Sequence, residues 1–154
     1  MKLYHIIVDG SNVAFSKRND RKKAILGNLE ILIRYLAELK KKYPIEYEII
    51  TDATLKYRID EPEKLEEYYK TGVISECPSH VKADEFIVDY MQIYPDRTLV
   101  ISNDNFSEYN LEKAGCFSLC KFIIIFNKII IPNFKHVFER KVERIAEVEI
   151  SIKT

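Results

Sequence analysis

The alternation of short apolar runs with amphipathic helical stretches restricts the fold of this chain more than any other feature. Leu3 to Val8 is an apolar run without a helical stripe, ending at Asp9-Gly10, and it reads as a strand buried on both faces. The period then changes. Ile25, Leu29, Leu32, Leu36 and Leu39 recur at helical spacing, which predicts a helix over Ala24–Lys42 whose terminal Lys40-Lys41-Lys42 suits the negative end of its dipole. Pro44 forbids continuation, and Tyr47 to Thr51 reads as a second strand. Asp60-Glu61-Pro62-Glu63 opens a helix that Gly72 stops, followed by a short strand within Val73–Glu76 and a turn at Pro78-Ser79-His80. A third helix runs from near Lys82 to Pro95, and Thr98–Ser102 makes a further strand. Phe122–Phe126 and Ile129–Ile131 form a strand pair around an Asn127-Lys128 turn, while the stretch from Phe138 fits helix and strand equally. Strands alternating with helices of this length require right-handed βαβ crossovers. The expected fold is therefore a three-layer α/β/α arrangement around a mostly parallel sheet.

With 154 residues, 47% of them hydrophobic, the chain can bury one core without staples, and a single domain over residues 1–154 is expected. No secretory leader and no bilayer-length apolar run stands in it, so the expectation is a cytoplasmic protein with no membrane partner. Cys77, Cys116 and Cys120 make neither a disulfide framework nor a CxxC pair, which suits a reducing compartment. Cys116 and Cys120 could share a metal from one helix, but small apolar residues beside a strand are the simpler account. The zero net charge conceals segregation: residues 46–113 carry seven basic and sixteen acidic side chains, whereas residues 1–45 carry ten and four. A polyanion would be engaged locally, by cations near the chemistry, rather than over the whole surface.

Open α/β sheets bind ligands beyond the carboxyl ends of their strands. The first strand delivers Asp9 to that edge, with Ser11 and Asn12 just beyond; Thr98–Ser102 delivers Asn103 and Asp104, with Glu108 one turn on. Asp84 opens the third helix on the same face as Ile87, Val88 and Met91, so it points inward. Singly, these acids have plain explanations in turns and helix N-termini. Asp9, Asp84 and Asp104 together, from three distant segments, make a site. Clustered carboxylates stay ionised only with a compensating cation, and oxygen ligands without His or thiolate favour Mg²⁺ or Mn²⁺. Such an ion with a phosphate-bearing substrate makes phosphodiester hydrolysis the natural reaction.

Four segments carry a family resemblance: Val8-Asp9-Gly10-Ser11-Asn12-Val13-Ala14, Thr51 to Asp60, Ala83-Asp84-Glu85-Phe86-Ile87 and Val100 to Phe106. In motif and order they resemble the PIN-like, NYN-type ribonuclease domain of the Regnase family and its prokaryotic relatives, over about residues 3–134, with 135–154 as an extension. The resemblance implies a PIN-like fold and Mg²⁺- or Mn²⁺-dependent endonucleolytic cleavage of RNA, leaving 5′-phosphate and 3′-hydroxyl ends. It assigns Asp9, Asp84, Glu85 and Asp104 to the acidic centre, Asn12 to an active-site asparagine and Glu108 to an additional acid. Asp9, Asp84 and Asp104 are the metal ligands it implies. Glu85 stands where an aspartate is usual, and Asn105 where a basic residue or threonine is common. Such domains are often dimers, so a homodimer is an expectation of the resemblance.

For the substrate, single-stranded or loop RNA, Lys17 and Arg18 follow the Asp9 motif and are candidate phosphate contacts. Arg58 joins them, with Lys56 beside it and Tyr57 offering a ring for base stacking. Ser11, Ser102 and Asn103 complete the substrate-binding set. Asp52 ends the second strand and could join the acidic rim, but capping the turn after it is the simpler account, and it is left outside the centre. His5, His80 and His136 are scattered, and only His80 lies near the expected chemistry. Three rivals compete: a noncatalytic RNA- or protein-binding module, a structure-specific DNA nuclease, and an aspartyl-phosphate phosphatase, which would want an acid where Ser11 stands.

Overall fold

The computed structural model describes residues 4–16, 23–93, 98–109 and 118–132. Strand β1 (Tyr4–Asp9) lies at the centre of a five-stranded sheet, with β2 (Ile45–Thr51) on one side and β4 (Thr98–Ile101) on the other. β3 (Ser75–Glu76) and β5 (Ser118–Cys120) form the edges, and the order β3-β2-β1-β4-β5 is parallel throughout. This is the expected mostly parallel sheet.

The helices α2 (Leu26–Lys42), α3 (Pro62–Thr71) and α4 (Ala83–Ile93) are those the periodicity predicts. Alternate residues of the central strands feed two separate cores. Ile6, Val8, Leu99 and Ile101 pack with Leu29, Leu32 and Leu36 of α2, whereas Ile7, Ile50 and Val100 pack with Ile87, Val88 and Met91 of α4. A strand covered on both faces is apolar on both, which is why Ile6, Ile7 and Val8 run without alternation. Pro62 occupies the first turn of α3, where its missing N–H costs nothing, and Gly72 ends that helix with φ of 79°.

The structure moves several boundaries. Ala24 and Ile25 precede α2, and Ala24 bridges Ile59 in parallel fashion instead of joining the helix. A short helix α1 (Gly10–Ala14), a 3₁₀ turn at Leu55–Tyr57 and the edge strand β5 lie outside the periodicity reading, because none is long enough to show a period. The strand pair is present as β6 (Ile123–Ile125) and β7 (Lys128–Ile130), antiparallel, but Ile125 pairs with Lys128, so the turn is Phe126-Asn127. Both turn residues have positive φ, 49° and 59°, as a two-residue hairpin of primed type requires. Burial of Ile129, 8% exposed against the α2 side of the core, selects this register over the expected Asn127-Lys128 turn. Cys120 stands buried in a strand, which removes the helical spacing that a metal shared with Cys116 needed. Cys116, His136 and the stretch from Asn133 onward lie outside the described residues, as do Lys17 and Arg18. Among the described residues no helix is long and apolar enough to cross a membrane.

Candidate active site

Parallel strands bring all their carboxyl ends to one edge, and β1 is where the chain changes direction: β2 and β3 build outward on one side, β4 and β5 on the other. A crevice opens at such a switch point. Here it is a cleft of 610 Å³ lined by Asp9 from β1, Asp52 from the end of β2, Asp84 from α4 and Asp104 from beyond β4. The three metal-ligand candidates therefore share one cleft, and Ser11, Asn12 and Arg58 line it with them.

Asp9 is held through both of its carboxylate oxygens. Its Oδ1 accepts from the Asn12 N–H at 3.2 Å, capping α1, and its Oδ2 accepts from Ser102 Oγ at 3.1 Å. Gly10 then lets the backbone turn hard against β2, because a Cβ there would meet Ile49 Cγ2 and Thr51 Cγ2 at 2.9 Å. This close approach is the physical content of the Asp9-Gly10 pair. Asn28 secures the other end of α1, its Nδ2 donating to the Val13 and Ala14 carbonyls at 3.4 and 3.3 Å.

The electrostatics of Asp9 follow from this burial. Its carboxyl, 7% exposed, is pushed from 3.8 to about 6, first by desolvation and then by the Asp52 and Asp104 charges; the Asn12 and Ser102 bonds only partly offset the rise.

Asn12 Oδ1 accepts from the Asn103 N–H at 2.8 Å, so the asparagine bridges the loops after β1 and β4. Ser102 was expected to face substrate, but it has 0% exposure. Its hydroxyl is committed between Asp9 and the Asp104 N–H, which donates to it at 3.1 Å, so its role is to orient acids. Asn103 likewise turns away from the cleft, its Oδ1 accepting from the Phe122 N–H and its Nδ2 donating to the Phe122 carbonyl. Ser11 lines the cleft but is 7% exposed, and its Oγ accepts from the Asp52 N–H at 2.9 Å. Asp104 closes its own turn by accepting from the Phe106 N–H at 2.9 Å.

Glu85 and Glu108, expected in the centre, are exposed and do not line the cleft. One residue along a helix is a rotation of about 100°, so when Asp84 faces the cleft Glu85 faces away from it. Glu108 follows the Asp104 turn and the buried Phe106, whose φ of 53° redirects the chain. The charges of both acids, with that of Asp84, act on the Tyr109 phenol, which desolvation and these charges push up to about 12.

Of the two places the sequence left open for Asp52, the structure puts it on the rim of the cleft. Its side chain does not cap the turn that follows; Oδ1 accepts from the Ala83 N–H, the first of α4, at 2.8 Å. Its partner stands 31 residues further on, beyond the reach of any local pattern. Phe15, His80 and Lys82 also line the cleft. Arg58 lies over the Phe15 ring at 4.5 Å, a stack that orients the guanidinium at the rim. Lys121, just beyond β5, donates to Asn105 Oδ1 at 2.6 Å, which brings a cation to the loop after β4.

Does this donor set fit the divalent cation that the fold family implies? Its acids offer oxygen only, and the buried Asp9 carboxylate stands against two like charges, which favours a hard cation beside it. Among the described residues no three candidate side chains already converge tightly enough to enclose a metal. Mg²⁺ does not require that, since it commonly takes one or two carboxylates and completes its shell with water and phosphate oxygens. The residues fit such an open site.

The family model for the Zc3h12a-like ribonuclease NYN domain matches residues 2–140. No curated protein matches the sequence. Among solved structures, nuclear protein-only RNase P 2 (PRORP2) of Arabidopsis thaliana superposes with a TM-score of 0.61 at 17% identity, covering 84% of this chain and 30% of that one. A second structure of the same A. thaliana protein gives 0.58 at 18% identity, covering 83% and 29%. The PIN domain endonuclease Utp24 gives 0.36 at 20% identity, covering 84% and 91%. The chain thus spans under a third of the PRORP2 chains, and that likeness is one of fold.

Proposed function

The chain belongs to the Zc3h12a-like ribonuclease NYN domain family, and from that premise we propose that it is an endoribonuclease using Mg²⁺ or Mn²⁺, leaving 5′-phosphate and 3′-hydroxyl ends. One observation carries this reading: Asp9, Asp84 and Asp104, from β1, α4 and the loop after β4, line a single cleft at the switch point of the sheet. These three residues would hold the cation. When bound, it stabilises charge on the leaving oxygen and lowers the pKa of an attacking water.

The chain's own groups do the rest. Ser102 and the Asn12 N–H hold both oxygens of Asp9, so the carboxylate is oriented before substrate arrives. Asn12 spends Oδ1 on the Asn103 N–H, which turns its amide to orient a phosphate oxygen or a water. Arg58 and Lys82 supply positive charge along the cleft for phosphates flanking the scissile bond, and Lys17 and Arg18, which follow the Asp9 motif in sequence, are proposed as further contacts. Among the described residues Arg58 and Lys82 are the arginine and lysine that line the cleft, which suits one strand better than a duplex, so single-stranded or loop RNA is the substrate. The expected homodimer has no support in the fold or in these likenesses.

The test is cleavage of single-stranded RNA, duplex RNA and sequence-matched DNA by the purified protein. Single-stranded RNA is expected to be cut with Mn²⁺ or Mg²⁺, EDTA to stop cleavage, and Asp9→Asn to reduce it more than the roughly 100-fold that losing an outer partner of a metal ligand costs. Full activity in Asp9→Asn would overturn the mechanism. Equal cutting of DNA would reassign the substrate, and tight binding without cleavage would point to a noncatalytic module.

A further inference from the structure

Four acids line the cleft, and three of them are accounted for by the proposed centre. The fourth, Asp52, makes two bonds that join otherwise separate parts of the site. Its Oδ1 accepts from the Ala83 N–H at 2.8 Å, and its own N–H donates to Ser11 Oγ at 2.9 Å. One residue therefore ties the Asp9-Gly10-Ser11 turn to the first residue of α4, directly before Asp84. Helix starts leave N–H groups without intrahelical partners, and filling one of them from β2 determines where α4 begins relative to the sheet.

A charge is not needed for that task. Asparagine and serine satisfy helix N-termini about as well as aspartate. Here the capping residue is a carboxylate, and it lines the cleft together with Asp9, Asp84 and Asp104. A carboxylate where a neutral side chain would cap equally well brings a negative charge to the cleft it lines.

We propose that Asp52 is a positioning residue of the centre: through Ala83 it sets Asp84 opposite Asp9, and its free charge helps draw the divalent cation into the cleft. This inference rests on the metal-dependent reading above. Its test is Mn²⁺ binding to the RNA-free protein, measured by calorimetry and by the electron paramagnetic resonance signal of free Mn²⁺. Asp52→Asn keeps an acceptor for the Ala83 N–H and removes the charge, and it is expected to weaken Mn²⁺ binding about 10- to 100-fold with the melting temperature retained. Asp52→Ala is expected to lose in addition the amide-exchange protection at the start of α4. Glu63→Gln, an exposed acid of α3, is expected to bind Mn²⁺ like the parent.

Parental affinity in Asp52→Asn, or an equal loss in Glu63→Gln, overturns the inference. Should Asp52→Asn fail to fold, Asp52→Ser offers a hydroxyl acceptor and is read the same way. Asp9→Asn separates the two levels. If it loses Mn²⁺ while Asp52→Asn keeps it, only the role of Asp52 falls; if Asp9→Asn also keeps it, the metal-dependent reading falls.

Discussion

Folding buries the Asp9 carboxyl beside two other acids and raises it from 3.8 to about 6, so its proton is held more tightly in the native state than in the unfolded chain. A raised carboxylate stabilises the fold only while protonated. That stability is fully present below about pH 4 and lost as pH passes 6, an effect of about 3 kcal/mol for a shift of this size. In EDTA, urea unfolding is therefore expected to show the parent losing stability from this residue between about pH 4 and 7, and Asp9→Asn lacking that loss. The inactive variant would be the more stable protein at pH 7. Identical pH dependence in the two would remove burial of Asp9 as the cause. At this scale Asp9, Asp84 and Asp104 were legible, because acids at strand ends and helix starts have recognisable positions. The roles of Ser102 and Asn103 were not, since a side chain's type does not reveal whether its partner is substrate, another acid or a backbone group 19 residues away.

Among the elements, α2 shows how local pattern and distant support divide the work. Its apolar spacing predicts the helix, yet its start at Leu26 has no local side-chain cap; Ile25 precedes it, and the Leu26 N–H donates to Asp60 Oδ1 at 2.9 Å. Losing a cap costs about 1 kcal/mol. Asp60→Ala is accordingly expected to lower the melting temperature by about 2–4 °C, with Mn²⁺ binding unchanged because Asp60 does not line the cleft. A variant as stable as the parent would show that the distant cap contributes nothing. The long helices and the central strands were readable because each runs long enough to display a period. β5, at three residues, and the short α1 were not. The β6–β7 turn was displaced by one residue, since Asn127 suits a positive φ at either turn position and only the burial of Ile129 selects between registers.

For the whole molecule, zero net charge with an acidic middle means that no broad positive field gathers RNA. In the proposed mode attraction depends on local cations: among the described residues Arg58 and Lys82 line the cleft, and Lys17 and Arg18 follow the Asp9 motif in sequence. Single-stranded nucleic acid releases about 0.7 counterion per phosphate neutralised, so four contacts correspond to a log KM against log salt slope of about 3 at most. KM is expected to rise with salt no more steeply than this; a much steeper rise would mean a wider basic surface than the proposed cleft.

The sequence by itself determined the layered fold and the three acids, because hydrophobic period and the position of a residue relative to its own strand or helix are local properties. Only the tertiary structure decided that these acids line one cleft, that Asp52 lines it with them, and that Glu85 and Glu108 do not. Those outcomes depend on how strands pair and how far a helix is rotated when it packs, and such quantities exist only once distant segments meet.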